Sequence, residues 1–136
     1  MKNELHVNFC IFNFTESVEE ITGIMGCPPS KAWLKGGKYN ERHPNLKATH
    51  SRWVLNSGLE LNSSFEEHLE SLLNALENVK ENLKTILKNY ESGIVVAAYY
   101  YETNPGFSMP NKLLKRMAQL GVGINFDLYY LGDKEE

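Results

Sequence analysis

Ile94-Val95-Val96-Ala97-Ala98-Tyr99-Tyr100-Tyr101 is followed, after two residues, by Asn104-Pro105-Gly106-Phe107-Ser108-Met109-Pro110, and then by Asn111 to Leu120. The first run, opened by Gly93, is apolar at odd and even positions alike. That predicts a strand buried on both faces and therefore central in a sheet. In the second run two prolines and a glycine dictate an abrupt change of direction. Pro105 suits the second position of a tight turn, and Gly106 then accepts a positive φ. Phe107 is too apolar to be left in water, so it is expected to turn inward against the aromatic residues of the last two strands. In the third run Leu113, Leu114, Met117 and Leu120 recur at helical spacing, with Ser108 placed as a cap and Gly121 closing the helix.

Downstream, Ile124, Phe126, Leu128 and Tyr130 alternate with Asn125, Asp127 and Tyr129, the period of a final strand, and the acidic tail 132–136 is expected to fray. Upstream, Phe65, Leu69, Leu72, Leu73, Leu76, Val79, Leu83, Ile86, Leu87 and Tyr90 form an almost unbroken stripe. This predicts one long helix over about 63–90. Its acidic residues gather near the start and its lysines near the end, as the helix dipole favours, and His68 is expected on its solvated side. Ser51, Trp53 and Leu55 alternate with Arg52, Val54 and Asn56 in a second strand, and Leu5, Val7, Phe9 and Ile11 mark the first. Between them lie a short helix and a connection. Thr15 is the expected cap of that helix, Val18, Ile21, Ile24 and Met25 supply its apolar positions, Gly26 ends it, and Pro28 and Pro29 forbid its resumption. The connection 28–48 is rich in Gly, Asn and Lys and reads as a long irregular segment of the kind that carries function.

The expected order is βαβαβαβ. It predicts a single α+β domain over 1–136, a four-stranded, mostly antiparallel sheet with three helices packed on one face. A doubly wound parallel sheet is disfavoured because the first, second and last strands each keep a polar face.

At 136 residues and 42% hydrophobic content, the chain is long enough for one well-buried core. Fourteen lysines and arginines face 17 aspartates and glutamates, a net charge of −3, and no basic cluster stands out. A phosphate-tracking surface therefore has no compositional support, and nucleic acid is not an expected partner. The apolar runs fall far short of the ~20 residues that span a bilayer, and the N-terminus enters a strand pattern directly, so a cytoplasmic protein with no membrane partner is expected. Cys10 and Cys27 are expected as two reduced thiols. The four histidines, His6, His43, His50 and His68, share no ligand spacing. Lys35-Gly36-Gly37-Lys38 lacks the hydroxyl residue of a phosphate loop, and Ser108 lacks the glycines of a nucleophile elbow. No metal, cofactor or catalytic residue is expected.

Two constellations remain. On the sheet face away from the helices the pattern puts His6, Asn8 and Cys10, then His50 and Arg52, then Asn125, Asp127 and Tyr129. If His50, Arg52, Asp127 and Tyr129 converged in a concave pocket, they could bind an anion or run acid–base chemistry; otherwise this is a solvated face. The second constellation is aromatic. Tyr99, Tyr100, Tyr101, Phe107, Tyr129 and Tyr130 gather near the elbow, and Trp33 sits in the long connection. Tyrosine and tryptophan anchor interfaces by burying large area while keeping a polar tip. Trp33, His50, Arg52, Tyr100, Phe107, Asp127 and Tyr129 are therefore the candidate binding residues.

Pro28 or Pro29, Trp33, Lys35, Gly36, Trp53, the helix opening at Phe65, and Asn104-Pro105-Gly106-Phe107-Ser108 ahead of Leu120-Gly121 also occur in a characteristic order. In that order, from Val7 to Leu131, the chain resembles the domain-of-unknown-function family 4279 of bacteria and their phages. The resemblance implies a compact α+β domain with no established catalytic residues. Some small proteins of this kind resemble immunity proteins encoded beside secreted toxins. The expected function is thus non-enzymatic protein binding, in its most specific form an immunity-type inhibitor of a toxin. The alternatives are a small enzyme or ligand binder using the open sheet face, and a homodimer paired through an exposed edge strand.

Overall fold

Val7, Phe9 and Ile11 alternate along β1 (Glu4–Phe12) with exposures of at most 1%, and the sheet is built outward from this strand. The computed structural model describes residues 2–39, 43, 45–101 and 106–132. On one side β1 pairs antiparallel with β3 (Arg52–Asn56), which pairs antiparallel with β2 (Lys31–Trp33). On the other it pairs antiparallel with β4 (Glu91–Tyr100), and β4 pairs in parallel with β5 (Ile124–Tyr130). The order is β2-β3-β1-β4-β5. The doubly apolar strand β4 is interior, as its composition requires.

The sheet thus has five strands and is mixed, where four mostly antiparallel strands were expected. The added strand, Lys31-Ala32-Trp33, lies inside the supposedly irregular connection and is too short to display a period of two. The parallel pair follows from α4 (Asn111–Leu120), a helical crossover between β4 and β5 of the kind that joins neighbouring parallel strands.

Among the described residues there are four helices rather than three. α1 spans Val18–Met25, and the expected long helix is two, α2 (Phe65–Asn78) and α3 (Lys80–Asn89), broken at Val79 with φ −123° and ψ 34°. The apolar stripe runs through Leu76, Val79 and Leu83 without interruption. Periodicity reports which residues face the core, not whether the axis stays straight. The break lets α2 lie on β1 and α4 while α3 lies on α1 and β4. All four helices send buried residues, among them Ile21, Leu72, Ile86 and Leu113, into one cluster with Phe9, Trp53, Ile94 and Val96.

Local chemistry sets the helix ends. α1 and α2 both start with capping boxes, Ser17 with Glu20 and Ser64 with Glu67. The cap of α1 is therefore Ser17 and not Thr15, because only Ser17 stands three residues before a glutamate that can answer it. Ser108 does not cap α4 either; Pro110 occupies that position and makes no side-chain cap bond. Gly26 and Gly121 close α1 and α4 in the left-handed conformation, at φ 83° and 79°. His68, expected in solvent, is 1% exposed, with Nδ1 2.6 Å from Ser57 Oγ. Its position three residues after Phe65 and four before Leu72 places it on the buried side of α2.

Candidate functional site

Because the residue pairing across the strands is settled, the face away from the helices can be read row by row. Glu4, His6, Asn8, Cys10 and Phe12 of β1 share it with Arg52, Val54 and Asn56 of β3, Lys31 and Trp33 of β2, alternate residues of β4 through Tyr99, and Asn125, Asp127 and Tyr129 of β5. One row reads Trp33, Arg52, Phe12, Glu91. Another, at the opposite end, places Asp127 beside Ala97 and His6.

His50, Arg52, Asp127 and Tyr129 do not converge. Arg52 and Asp127 are three strands apart, about 14 Å across, and the six-residue step from Glu91 to Ala97 adds about 20 Å along the strands. Period-two alternation put these residues on a common face, but strand order and register decide which of them meet.

Trp33, His50 and Arg52 do come together, at the β2–β3 corner. The connection folds back on itself there. Lys38 and Lys47 form an antiparallel bridge, the Gly36 N–H donates to the Ala48 carbonyl at 2.7 Å, and the Ala48 N–H donates to the Gly37 carbonyl at 2.9 Å. Gly36 takes φ 85°, which a side chain would oppose. This closure brings Tyr39 and Lys47 to a cavity of about 250 Å³ that Trp33, His50 and Arg52 also line. The Trp33 and Tyr39 rings lie 5.6 Å apart. The Arg52 guanidinium lies 4.8 Å from the Phe12 ring centre and 5.9 Å from that of Trp33. Tyr39, Lys47 and Phe12 were not anticipated at this corner. The first two lie in a segment without periodicity, and Phe12 is the last residue of its strand.

Two further groups of aromatics sit at the other edge. On the open face Tyr129 stacks on Tyr99 at 4.9 Å and 14°, and Tyr99 meets His6 edge-on at 5.6 Å. On the helix side Tyr100 lies 5.6 Å from Tyr130, and Phe107 lies 5.2 Å from Phe65 and 5.3 Å from Phe126. Gly106 has φ 66°, the positive value expected of it. Phe107 is half-buried rather than buried, and among the described residues its ring contacts are with Phe65 of α2 and Phe126 of β5. Asn104 and Pro105 lie outside the described residues, as does the tail beyond Gly132. Phe107 also helps line a cleft of about 600 Å³ floored by Leu5 and Ala98, beside the start of α2.

Among titratable groups, burial pushes the Cys10 thiol up to about 11, with Arg52 and Lys31 opposing it. Burial also lowers the His68 imidazole from its ordinary range, partly offset by the Glu60 backbone and the Glu67 charge. A serine hydroxyl against an imidazole is the pairing that activates a nucleophile. Here Ser57 Oγ also accepts the Leu59 N–H, and Ser71 donates to the Ser57 carbonyl, so the contact ties the turn after β3 to α2. Both cysteines are free, and among the described residues no group of three or more His, Cys, Asp or Glu side chains is arranged to hold a metal. No helix among them is long and apolar enough to cross a membrane.

No similar protein is found among curated proteins, and none among solved structures. Residues 3–131, nearly the whole of the α+β domain just described, match the family described as Domain of unknown function (DUF4279), and the chain belongs to that family.

Proposed function

We propose that this protein is a non-enzymatic protein-binding domain of the bacterial cytoplasm, acting as an immunity-type inhibitor that receives a protein toxin along β5. One observation carries the reading. β5 ends the sheet and exposes Phe126 at 36%, Leu128 at 52%, Tyr129 at 44% and Tyr130 at 61%, with Leu131 at 46% just beyond it. Edge strands are ordinarily blunted by shortness, lysine, proline or a bulge, since their unpaired backbone groups invite another strand. The opposite edge, β2, is three residues long and carries Lys31. β5 is seven residues long, has no lysine or proline, and bears one charge, Asp127. A long apolar edge of this kind suits strand addition by a partner, with backbone bonds for affinity and the aromatic side chains for selectivity.

The same edge supports pairing with a second copy, and one experiment separates the two. A photo-crosslinking residue at Leu128 in the native host should yield one discrete adduct heavier than two copies of the 15.5 kDa chain. The adduct should vanish in the Tyr130→Lys background while the melting curve is retained. An adduct of two such chains would replace the reading with a homodimer, and no adduct at all would overturn it. Turnover of a substrate by the purified protein would equally remove the non-enzymatic assignment.

A further inference from the structure

The corner cavity at β2–β3, on the sheet edge opposite β5, has a chemistry that strand addition does not use. Its walls are Trp33, Tyr39, Lys47, His50 and Arg52 together with small residues, with no carboxylate among the described lining residues, although the chain as a whole carries −3. Arg52 is the centre of it. The residue pairing seats its side chain between Phe12 on one neighbouring strand and Trp33 on the other. Cation–π contact with two rings restrains a guanidinium while leaving its N–H groups able to recognise an anion.

Among the described residues Arg52 has no carboxylate within 4.0 Å and no side-chain hydrogen bond, whereas Arg116 donates to both Glu77 oxygens, at 2.8 and 2.9 Å, and to Asn74 at 2.6 Å. A half-buried arginine held against two rings, with no ion pair or side-chain hydrogen bond among the described residues, is suited to bidentate capture of an oxyanion. Lys47 and His50 add donors on the same cavity, and Trp33 and Tyr39, their rings inclined at 39°, add aromatic surface. At about 250 Å³ the space is smaller than the ~300–1,000 Å³ of pockets for drug-sized ligands, so a single ring is the right scale.

We infer that this corner binds an oxyanion carried on one aromatic ring, with Arg52 gripping the anion and Trp33 and Tyr39 contacting the ring. The shared chemistry is an aryl carboxylate or aryl phosphate. Four probes titrated into the ¹⁵N-labelled protein test it: benzoate, phenyl phosphate, inorganic phosphate and cyclohexanecarboxylate. Benzoate or phenyl phosphate should shift the amides of Trp33, Ala48 and Arg52 with a Kd of about 1 mM or tighter, and the preferred one identifies the anion. Cyclohexanecarboxylate and inorganic phosphate should each bind at least about fivefold more weakly, for want of the stacked ring. Arg52→Gln should weaken binding about tenfold or more, and Arg52→Lys nearly as much, because lysine keeps the charge but not the fork. Lys47→Gln, at an exposed position, keeps the test decisive should Arg52 variants fail to fold, and should weaken binding about threefold. No saturable shift below 10 mM for either aryl anion, equal binding of inorganic phosphate, or affinity unchanged in the variants would overturn the inference.

Discussion

Replacing Phe107 with alanine removes a ring that touches Phe65 and Phe126 edge-on or at a tilt, both within 5.3 Å. Because Phe107 is half-buried, the loss should be about 2 kcal/mol, below the ~3–5 kcal/mol of a fully buried phenylalanine. Urea unfolding checks it, and a change under about 0.5 kcal/mol would show that the aromatic trio contributes nothing to folding. His68 makes a second case at this scale. Burial holds its imidazole below the ordinary 6.5, so the folded protein favours the neutral form. Unfolded histidine takes up its proton near pH 6.5. Stability should therefore be complete above that pH and be lost progressively as pH falls from about 6.5 toward the lower folded value. Glu16 and Glu77 are lowered by their bonds to Tyr90 and Arg116, and their contribution fades only below about pH 4.3. Between pH 7.5 and 5.5 the urea midpoint of the natural protein should fall more than that of His68→Gln; equal falls would assign the dependence to other groups. Ser57→Ala, which strips the buried Nδ1 of its partner, should cost about 1–3 kcal/mol at pH 7.5.

At the scale of elements, the helix ends are governed by neighbours in sequence, and so are their energetics. Ser64→Ala deletes the bond that Ser64 Oγ accepts from the Glu67 N–H at 3.1 Å and frees the Glu67 carboxylate that answers the Ser64 N–H at 3.0 Å. The expected cost is about 1 kcal/mol, read as a lower melting temperature; Thr15→Ala, outside any cap, should leave it unchanged. Gly26→Ala is harsher. The position has φ 83°, and a Cβ there would come 3.0 Å from Asn82 Nδ2, which donates to the Ile24 carbonyl at 2.9 Å. Strain and the disturbed bond between α1 and α3 should together cost more than about 1 kcal/mol. Most of the amphipathic stripes of α2, α3 and α4 was legible, because burial follows the 3.6-residue period wherever a helix forms, although His68 lies on the buried side and Leu114 is exposed. The break at Val79 was not legible, since it depends on two halves of one stripe meeting different partners. Nor was β2, whose three residues become a strand only by pairing with β3.

Across the whole molecule the two sheet edges differ, and that difference generates the last prediction. β5 leaves Leu128, Tyr129 and Tyr130 largely exposed while β2 is short and charged. Leu128→Lys, at a position 52% exposed, should leave the unfolding free energy within the ±0.5 kcal/mol typical of surface changes while abolishing the heavy adduct that a photo-crosslinking residue at Leu131 forms with the protein partner. A destabilisation above about 2 kcal/mol would mean instead that the strand is part of the core.

By itself the sequence determined most of the apolar positions that face the core on β1 and the helices, the glycine ends of α1 and α4, that β4 lies inside the sheet, and that Gly106 turns with positive φ. Each of these is set within a few residues by period, cap or backbone sterics. Only the tertiary structure decided that β4 and β5 run parallel, that β5 ends the sheet uncovered, and that Trp33, His50 and Arg52 meet while Asp127 and Tyr129 stay far away. Those facts depend on which strands become neighbours and in what register. Pairing energies between distant segments choose both, and a period of two along any one strand is compatible with every order of strands.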